Sequence, residues 1–288
     1  MKVTQFRQAK NLHEALNILS ESSTPWRILA GGTDLLIELR SSAGNEQDPC
    51  GFLSIERIDE MRRIRQVDEE LHIGANVTFT ELRQSEILRQ KAPILAEMAR
   101  QMGSVQIRNR ATLGGNLVNA NPCADSAPPL LALNADVILK SISVERRLPL
   151  RDFFVSPGKT VIDSDEILTT IIIQVPKPSA KWGYLKLGRR NSAAISRMTL
   201  ALVRRTTSEG IYDTYLSMGA VMPTPRRMPN VEAILNESTW DETLVERASE
   251  QARLDVQDIT GIRWSSEYKL PVVENLMSRV LWEVDHPS

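Results

Sequence analysis

Two pairs of adjacent glycines are the positions in this sequence best suited to bind an anion. The first pair lies in Leu29–Asp34 (LAGGTD) and the second in Ala111–Asn116 (ATLGGN). Glycine permits positive φ angles and lets backbone N–H groups approach a phosphate closely, while flanking hydroxyl, carboxyl or amide groups add hydrogen bonds. Two such loops could hold a diphosphate between them. Neither is a Rossmann fingerprint or a Walker A loop, because G-x-G-x-x-G and Gly-Lys-Ser/Thr are absent.

A single Gly-Gly pair, Asp125 and Lys186 each have a structural interpretation beside a functional one. Sequence spacing alone does not decide between the two interpretations. A single Gly-Gly pair is more often only a tight turn. Asp125, in the polar segment 119–128, could accept a hydrogen bond from a ligand hydroxyl or could simply help to form a turn. Lys186, in an alternating strand-like segment, could be a surface lysine or a cation beside an electron-rich ring or an anion.

The sequence gives no support for nucleophilic or metal-dependent catalysis. There is no G-x-S-x-G elbow and no credible Cys/His or Ser/His/Asp signature. Two cysteines, Cys50 and Cys123, cannot build a disulfide framework, nor a convincing zinc site with the three histidines. His72 lies in a strand pattern, where a structural role is the more common one. We therefore expect no catalytic residue and no metal ligand in this chain.

The composition is that of an ordinary globular protein. A length of 288 residues is typical of about two domains. Lys plus Arg is 35 and Asp plus Glu is 36, so a net charge of −1 gives no general attraction to nucleic acid or an anionic membrane. Few cysteines, no secretory signal pattern and no long apolar stretch predict a cytoplasmic protein without a membrane span.

The strand and helix signals place both glycine pairs in loops of the first half of the chain. The first predicted elements are a helix capped by Asn11, with Glu14 in its first turn, a strand over 26–30 that stops at Gly31, and a strand over 71–75. Two helices follow at about 80–90 and 93–102, because Pro93 interrupts the helical pattern. The later elements are a loop over 112–126, an apolar stretch over 129–139, and strands around 136–149 and 167–175.

The second half of the chain has a different pattern. After the break at 175–178 (VPKP), strand-like segments at 182–187, 197–206 and 211–220 precede helical patterns at 229–236, 241–257 and 269–284. Strands followed by helices indicate a small α+β domain. We place the boundary near 176–179, which gives domains over 1–176 and 177–288, and we find no internal repeat.

Several stretches of the chain resemble the medium, FAD-binding subunit of the molybdenum hydroxylases, which include xanthine, carbon monoxide and nicotinate dehydrogenases. They are Leu29–Glu38, His72–Leu82, Gly103–Pro128, Asp165–Pro176 and Tyr184–Ser196. The resemblance covers essentially the whole chain, and the motifs AGGTDL and QIRNxATLGGN in this order are its specific part. It implies a two-part FAD-binding domain of the vanillyl-alcohol oxidase-like (PCMH-type) kind, followed by a small α+β C-terminal domain of the CO dehydrogenase flavoprotein type.

The resemblance also implies a role for particular residues at an FAD site. Residues Arg27, Ile28, Leu29, Ala30, Gly31, Gly32, Thr33 and Asp34 would embrace the FAD diphosphate, and Thr112, Leu113, Gly114, Gly115 and Asn116 would hold it from the other side. Asp125 would bind a hydroxyl of the ribose or ribityl chain, Leu168 would pack near the adenine end, and Lys186 would lie near the flavin ring. Met102 occupies a position where some relatives carry an aromatic residue.

The function implied by the resemblance is electron transfer within a larger complex. A molybdopterin-binding large subunit would hydroxylate the substrate, a small subunit with [2Fe–2S] clusters would pass electrons on, and FAD would deliver them to NAD or another acceptor. Two cysteines cannot ligate such a cluster, which also argues against the cluster-bearing insertion of benzoyl-CoA-type reductases. The alternatives are a free-standing flavin oxidoreductase on the same fold and a cofactor-free accessory protein.

Overall fold

The computed structural model describes residues 3–21, 25–41, 50–190, 193–206, 212–237 and 240–286. These residues form four β-sheets and a set of α-helices packed against them, so the predicted α+β fold class is confirmed. No helix within these ranges is long and apolar enough to cross a lipid bilayer.

The first sheet is parallel, and the first glycine pair follows one of its strands. Its strands are β1 (Val3–Gln8), β2 (Trp26–Leu29) and β3 (Cys50–Ser54), with β3 between the other two. Helix α1 (Leu12–Glu21) lies between β1 and β2 in the chain, and α2 (Leu35–Ser41) follows β2. The side-chain oxygen of Asn11 accepts a hydrogen bond from the Glu14 N–H at 2.9 Å, which confirms the predicted helix cap.

The second sheet is antiparallel and has five strands. In spatial order they are β4 (Ile64–Val67), β5 (Glu70–Gly74), β10 (Ile167–Gln174), β6 (Asp136–Lys140) and β7 (Glu145–Pro149). A short hairpin of β8 (Phe154–Ser156) and β9 (Lys159–Thr160) precedes β10. Because β10 pairs with both β5 and β6, it fixes two hairpins that are far apart in the sequence. The strands predicted over 71–75 and 167–175 are confirmed, and 136–149 is a two-stranded hairpin.

Six helices connect β5 to β6. They are α3 (Phe79–Gln84), α4 (Glu86–Lys91), α5 (Pro93–Gln101), α6 (Val105–Arg108), α7 (Leu113–Val118) and α8 (Ala127–Ala132). The prediction of one helix over 80–90 was wrong, because Ser85 ends α3 and also caps α4, its hydroxyl oxygen accepting from the Leu88 N–H. The break at Pro93 is confirmed, since this proline begins α5.

The second glycine pair lies in the first turn of α7, so the predicted loop over 112–126 was wrong in its first half. Two glycines disfavour helix by about 1 kcal/mol each relative to alanine. Thr112 offsets part of this cost, because its hydroxyl oxygen accepts a hydrogen bond from the Gly115 N–H at 3.1 Å and caps the helix.

The elements from β1 to β10 form a first unit. A second unit begins at β11 and contains an antiparallel sheet covered by three helices. The strands, neighbours in chain order, are β11 (Lys181–Gly188), β12 (Ser196–Thr206), β13 (Tyr212–Gly219) and β14 (Arg226–Arg227), and the helices are α9 (Pro229–Leu235), α10 (Glu242–Thr260) and α11 (Ser266–Asp285). The predicted strands and helices of this half are confirmed to within a few residues, except position 211, which lies outside the described residues. The domain division at 176/177 stays a prediction.

The two faces of this last sheet belong to different cores. Leu200 and Leu202 of β12 pack with α9, α10 and α11, whereas Ala201 and Val203 pack with the buried residues of the first unit. Tyr184 of β11 also belongs to the core of the first unit. The alternation of a β-strand therefore lets one sheet close both cores.

Candidate functional site

The first glycine-containing loop, residues 30–34, presents a row of unused backbone donors. Gly32 has a φ of 73°, and its carbonyl oxygen accepts from the Leu36 N–H at 3.2 Å. Within the described part of the chain, the N–H groups of Gly31–Asp34 donate no hydrogen bond to a protein acceptor. Successive free N–H groups in a turn with a left-handed residue form a concavity that favours an anion.

In the second loop, residues 112–116, the backbone N–H groups of Leu113 to Asn116 donate hydrogen bonds within the protein. Its N–H groups bond as follows: Leu113 to the Val77 carbonyl at 2.9 Å, Gly114 to the Ala75 carbonyl at 2.8 Å, Gly115 to the Thr112 hydroxyl at 3.1 Å, and Asn116 to the Thr112 carbonyl at 3.0 Å. The two loops are therefore not equivalent. The second is anchored to the segment after β5 and offers a surface rather than free N–H groups.

The glycines of the two loops differ in what surrounds them. A Cβ at Gly31 would lie 2.0 Å from the Arg110 carbonyl oxygen, and one at Gly114 would lie 2.6 Å from the Ala75 Cβ. Gly115 is exposed, and beyond its own helix a Cβ there would meet the Thr112 hydroxyl oxygen at 2.8 Å. Gly31 and Gly114 thus allow the backbone segments to touch, whereas Gly115 leaves open a space in which a ligand could approach.

The loops meet at a small cavity of about 40 Å³. It is lined by Ala30 and Gly31 of the first loop, by Asn109, Arg110 and Thr112 before the second glycine pair, and by Glu56, Arg62, Asn76 and Thr78. Sequence reasoning gave no role to residues 75–78, although they connect β5 to α3. The pattern Thr78-x-x-Glu81 was the available signal, since it predicts a capping box that would fix this segment.

Asn76 is a buried side chain with an unsatisfied acceptor. It is 3% exposed, and its Nδ2 donates to the Ile55 carbonyl oxygen at 2.6 Å, which sets the orientation of the amide. Its Oδ1 has no hydrogen-bond partner among the described residues. A buried acceptor without a donor costs about 1–3 kcal/mol, so this position favours a water or a ligand group that can donate.

Three arginines around the loops are already paired with carboxylates. Arg27 makes two hydrogen bonds to Glu38, at 3.2 and 2.8 Å. Arg62 Nη2 lies 2.7 Å from Glu81 Oε1, and Arg110 Nη1 lies 2.6 Å from Glu56 Oε1. Burial tends to raise the pKa of Glu81, but hydrogen bonds from Thr78 and Arg62 outweigh it, so this pKa lies below its ordinary value of 4.5.

Asp125 and Lys186 form a buried ion pair between the two units. The Lys186 Nζ lies 2.5 Å from Asp125 Oδ2, and the two side chains are 7% and 8% exposed. Nζ also donates to the Gln101 carbonyl oxygen at 3.2 Å. The interpretation of Lys186 as a surface lysine was therefore wrong. Sequence reasoning missed Ser196, whose hydroxyl donates to Asp125 Oδ1 at 2.5 Å.

The remaining predicted site residues lie at different depths. Ile28, Leu29 and Thr33 are half-buried, Met102 is half-buried at the end of α5, and Leu168 is 3% exposed within the core beside β6. The roles predicted for Met102 and Leu168 stay predictions. His72 Nε2 lies 3.1 Å from Glu70 Oε2, within hydrogen-bonding distance of a neighbouring residue on β5.

Residues 2–178 match the family described as the FAD binding domain in molybdopterin dehydrogenase. The chain belongs to this family. Residues 183–284 match the CO dehydrogenase flavoprotein C-terminal domain. The protein is therefore an FAD-binding subunit of the molybdenum hydroxylase family of oxidoreductases, with FAD as its cofactor, and the predicted family and cofactor are confirmed. The two-loop site fits FAD, because it combines free N–H groups, an open glycine and an unsatisfied buried acceptor.

Several known proteins are similar to this chain along nearly the whole of its length. The nicotinate dehydrogenase FAD-subunit of Eubacterium barkeri is 30% identical over 99% of this chain and 97% of its own. The xanthine dehydrogenase FAD-binding subunit of Escherichia coli O157:H7 is 30% identical over 96% and 94%. A chain of carbon monoxide dehydrogenase from Hydrogenophaga pseudoflava superposes with a TM-score of 0.88 at 25% identity, covering 97% of this chain and 96% of that one.

Proposed function

We propose that the protein is the flavin-carrying link of an electron relay. Electrons from the [2Fe–2S] clusters of a small partner subunit would reach FAD bound to this chain and leave to NAD or another acceptor. A molybdopterin-binding large subunit would hydroxylate the organic substrate. FAD, when bound, supplies a centre that exchanges electrons singly or in pairs.

The row of free N–H groups at Gly31–Asp34 is the observation that carries this proposal. Successive free N–H groups suit a diphosphate, and the opposing loop presents the exposed Gly115. Negative oxygens of a diphosphate would satisfy these donors without a side chain. We assign the diphosphate to Arg27–Asp34 and Thr112–Asn116 on this basis.

The other assigned residues would bind and orient the two ends of the cofactor. Asp125 keeps lone pairs that could accept from a ribose or ribityl hydroxyl while it bonds to Lys186. Lys186 would then lie near the flavin ring, with Leu168 towards the adenine end. Met102 would approach the flavin from the end of α5. None of these assignments makes a protein side chain an acid or base in the hydroxylation.

The iron–sulfur clusters must come from another chain. A [2Fe–2S] cluster needs four protein ligands, and this chain has two cysteines, of which Cys50 is buried and Cys123 is half-buried. In the described residues, no group of three His, Cys, Asp or Glu side chains is placed to hold a metal ion. The proposed partners are therefore a small [2Fe–2S] subunit and a molybdopterin-binding large subunit, in the cytoplasm.

A visible spectrum of the purified protein, followed by denaturation and identification of the released chromophore, tests the cofactor assignment. Oxidised-flavin bands and released FAD are expected, or uptake of added FAD if it was lost during purification. A colourless protein that takes up no FAD contradicts the proposal and supports a cofactor-free accessory protein.

Purification of a tagged full chain from its native host tests the relay. An iron–sulfur and a molybdenum-containing subunit should co-purify with it. An FAD-loaded chain that is isolated alone, and that oxidises a substrate without partners, would instead support a free-standing flavin oxidoreductase.

A further inference from the structure

An irregularity in the pairing of β11 with β12 decides which side chain faces the first unit. Leu187 pairs with Met198, but Gly188 pairs with Ser196, so Arg197 is an extra residue in β12. In a regular ladder Arg197 would lie opposite Gly188. The bulge instead places Ser196 there, on the same face as Lys186, because side chains two residues apart share a face.

Local packing supports this arrangement of the strand. A Cβ at Gly188 would lie 2.5 Å from the Ala194 Cβ, so only a glycine lets the chain return this closely. The displaced Arg197 extends over the ring of Tyr268, 5.6 Å from its centroid, instead of facing the first unit. A small hydroxyl thus replaces a second cation beside Asp125.

Both carboxylate oxygens of Asp125 are consequently held by the second unit. Oδ2 bonds to Lys186 of β11 and Oδ1 bonds to the Ser196 hydroxyl of β12, each at 2.5 Å. Asp125 is 6% exposed and Ser196 is 3% exposed. Two donors on different oxygens fix the orientation of a buried carboxylate, so Lys186 and Ser196 hold Asp125 in one defined pose.

We propose that Ser196 is a positioning residue for the cofactor, which acts by orienting the carboxylate of Asp125 towards a hydroxyl of the FAD sugar chain. This inference rests on the proposed FAD site and extends it. The second unit would then contribute to FAD affinity through a residue that does not touch the cofactor. Ser196 ends one of the stretches that carry the family resemblance, but the sequence indicated no role for it, because that role depends on the bulge.

The test compares FAD dissociation constants of full-length variants, measured by the change in flavin fluorescence on titration. Ser196→Ala is expected to weaken FAD binding about tenfold, as loss of a hydrogen bond to a charged group does. Ser196→Thr, which keeps the hydroxyl and suits a strand, should stay within about threefold of wild type. Ser249→Ala is the matched control, since Ser249 is a 2% exposed serine bonded to Ser278 between α10 and α11.

The double variant separates a positioning role from a general loss of structure. In an Asp125→Asn background, Ser196→Ala should have little further effect on FAD affinity, because the two residues act through one group. An equal loss in both backgrounds, or wild-type affinity of Ser196→Ala, overturns the inference. If Asp125→Asn weakens binding and Ser196→Ala does not, only the inference is wrong. If the wild-type chain binds no FAD, the proposed function itself is wrong.

Discussion

At the scale of single residues, Gly115 is the exposed position where a side chain would enter the space assigned to the cofactor. Beyond its chain neighbours and its own helix backbone, an added Cβ would meet the Thr112 hydroxyl oxygen at 2.8 Å, so this capping hydroxyl would have to shift slightly. Gly115→Val is therefore expected to weaken FAD binding by more than about tenfold, or ~1.4 kcal/mol. Flavin stoichiometry of the purified variant and its thermal unfolding temperature are the measurements.

A folded Gly115→Val protein with a full complement of FAD would contradict the assignment of the second loop. Gly114→Ala serves as the comparison, because its Cβ would overlap Ala75 and should lower the unfolding temperature. The two neighbouring glycines should therefore separate loss of the cofactor from loss of stability.

Residue types indicated where a candidate site could lie but not which contacts its residues make. The glycine pairs and their flanking polar residues were visible in the sequence because few residues tolerate such backbone geometry. That Asp125 bonds to Lys186 was not visible, because 60 intervening positions carry no signal about which strand faces which loop. Ser196 and Asn76 were missed for the same reason, since both act through tertiary neighbours.

At the scale of elements, the contact between the two loops depends on Gly31. Its added Cβ would lie 2.0 Å from a backbone oxygen, which cannot rotate away. Gly31→Ala should separate the loops, lower the free energy of unfolding by about 1–3 kcal/mol and weaken FAD binding as well. Urea unfolding measures the first effect, with Gly115→Ala as the comparison for stability, and FAD titration measures the second.

Equal stability of Gly31→Ala and Gly115→Ala would show that the first loop does not rest on Arg110. The comparison is informative because both changes add one methyl group. The neighbour is a backbone carbonyl oxygen at 2.0 Å in one case and the capping hydroxyl of Thr112 at 2.8 Å in the other, so the overlap is larger at Gly31.

The capping box of α3 gives the site a dependence on acidic pH. Hydrogen bonds from Thr78 and Arg62 hold the pKa of Glu81 below 4.5 in the folded protein, despite the opposing effect of burial. A lowered folded-state pKa contributes stability that is present above pH 4.5 and is lost as the pH falls through the folded value. Glu81→Gln should therefore reduce the loss of stability on acidification below pH 4.5.

Unfolding free energies at a series of pH values measure this effect. Glu86→Gln, which changes an exposed carboxylate in the first turn of α4, is the matched control. Identical acid profiles for wild type and Glu81→Gln would mean that the capping box does not act through its charge.

At the scale of the whole molecule, the two units share a core. Tyr184, Ala201 and Val203 of the second unit belong to the core of the first, and the Asp125–Lys186 pair crosses between them. We expect a single cooperative unfolding transition, with coincident loss of far-UV and near-UV circular dichroism. Two separated calorimetric transitions would contradict a shared core.

The isolated chain is expected not to hydroxylate a purine or an aromatic heterocycle with an artificial electron acceptor. In the proposed relay that reaction belongs to the molybdenum subunit, and this chain only binds FAD and passes electrons. Product formation, followed by chromatography, is the measurement. Turnover by the chain alone would reject the relay, whereas activity restored by the partner subunits would support it.

The element order of the second unit was predictable from the sequence, but the strands β1, β3 and β4 of the first half were not predicted, nor was the placement of the elements in space. Turn residues and alternation located the strands and helices of the second unit to within a few residues. The short helices α3 and α4 appeared as one, since Ser85 is tolerated in a helix and its capping role depends on local geometry. Nothing in periodicity showed that β12 would close two cores at once.

A loop whose successive donors are main-chain N–H groups has an unusual response to change. The free N–H groups of Gly31–Asp34 do not depend on the identity of the side chains at Ala30 or Thr33. Replacements at these two positions should therefore be tolerated if they suit the backbone. Insertion or deletion of one residue would move every donor out of line, so the length of this segment constrains the protein more than its chemical composition does.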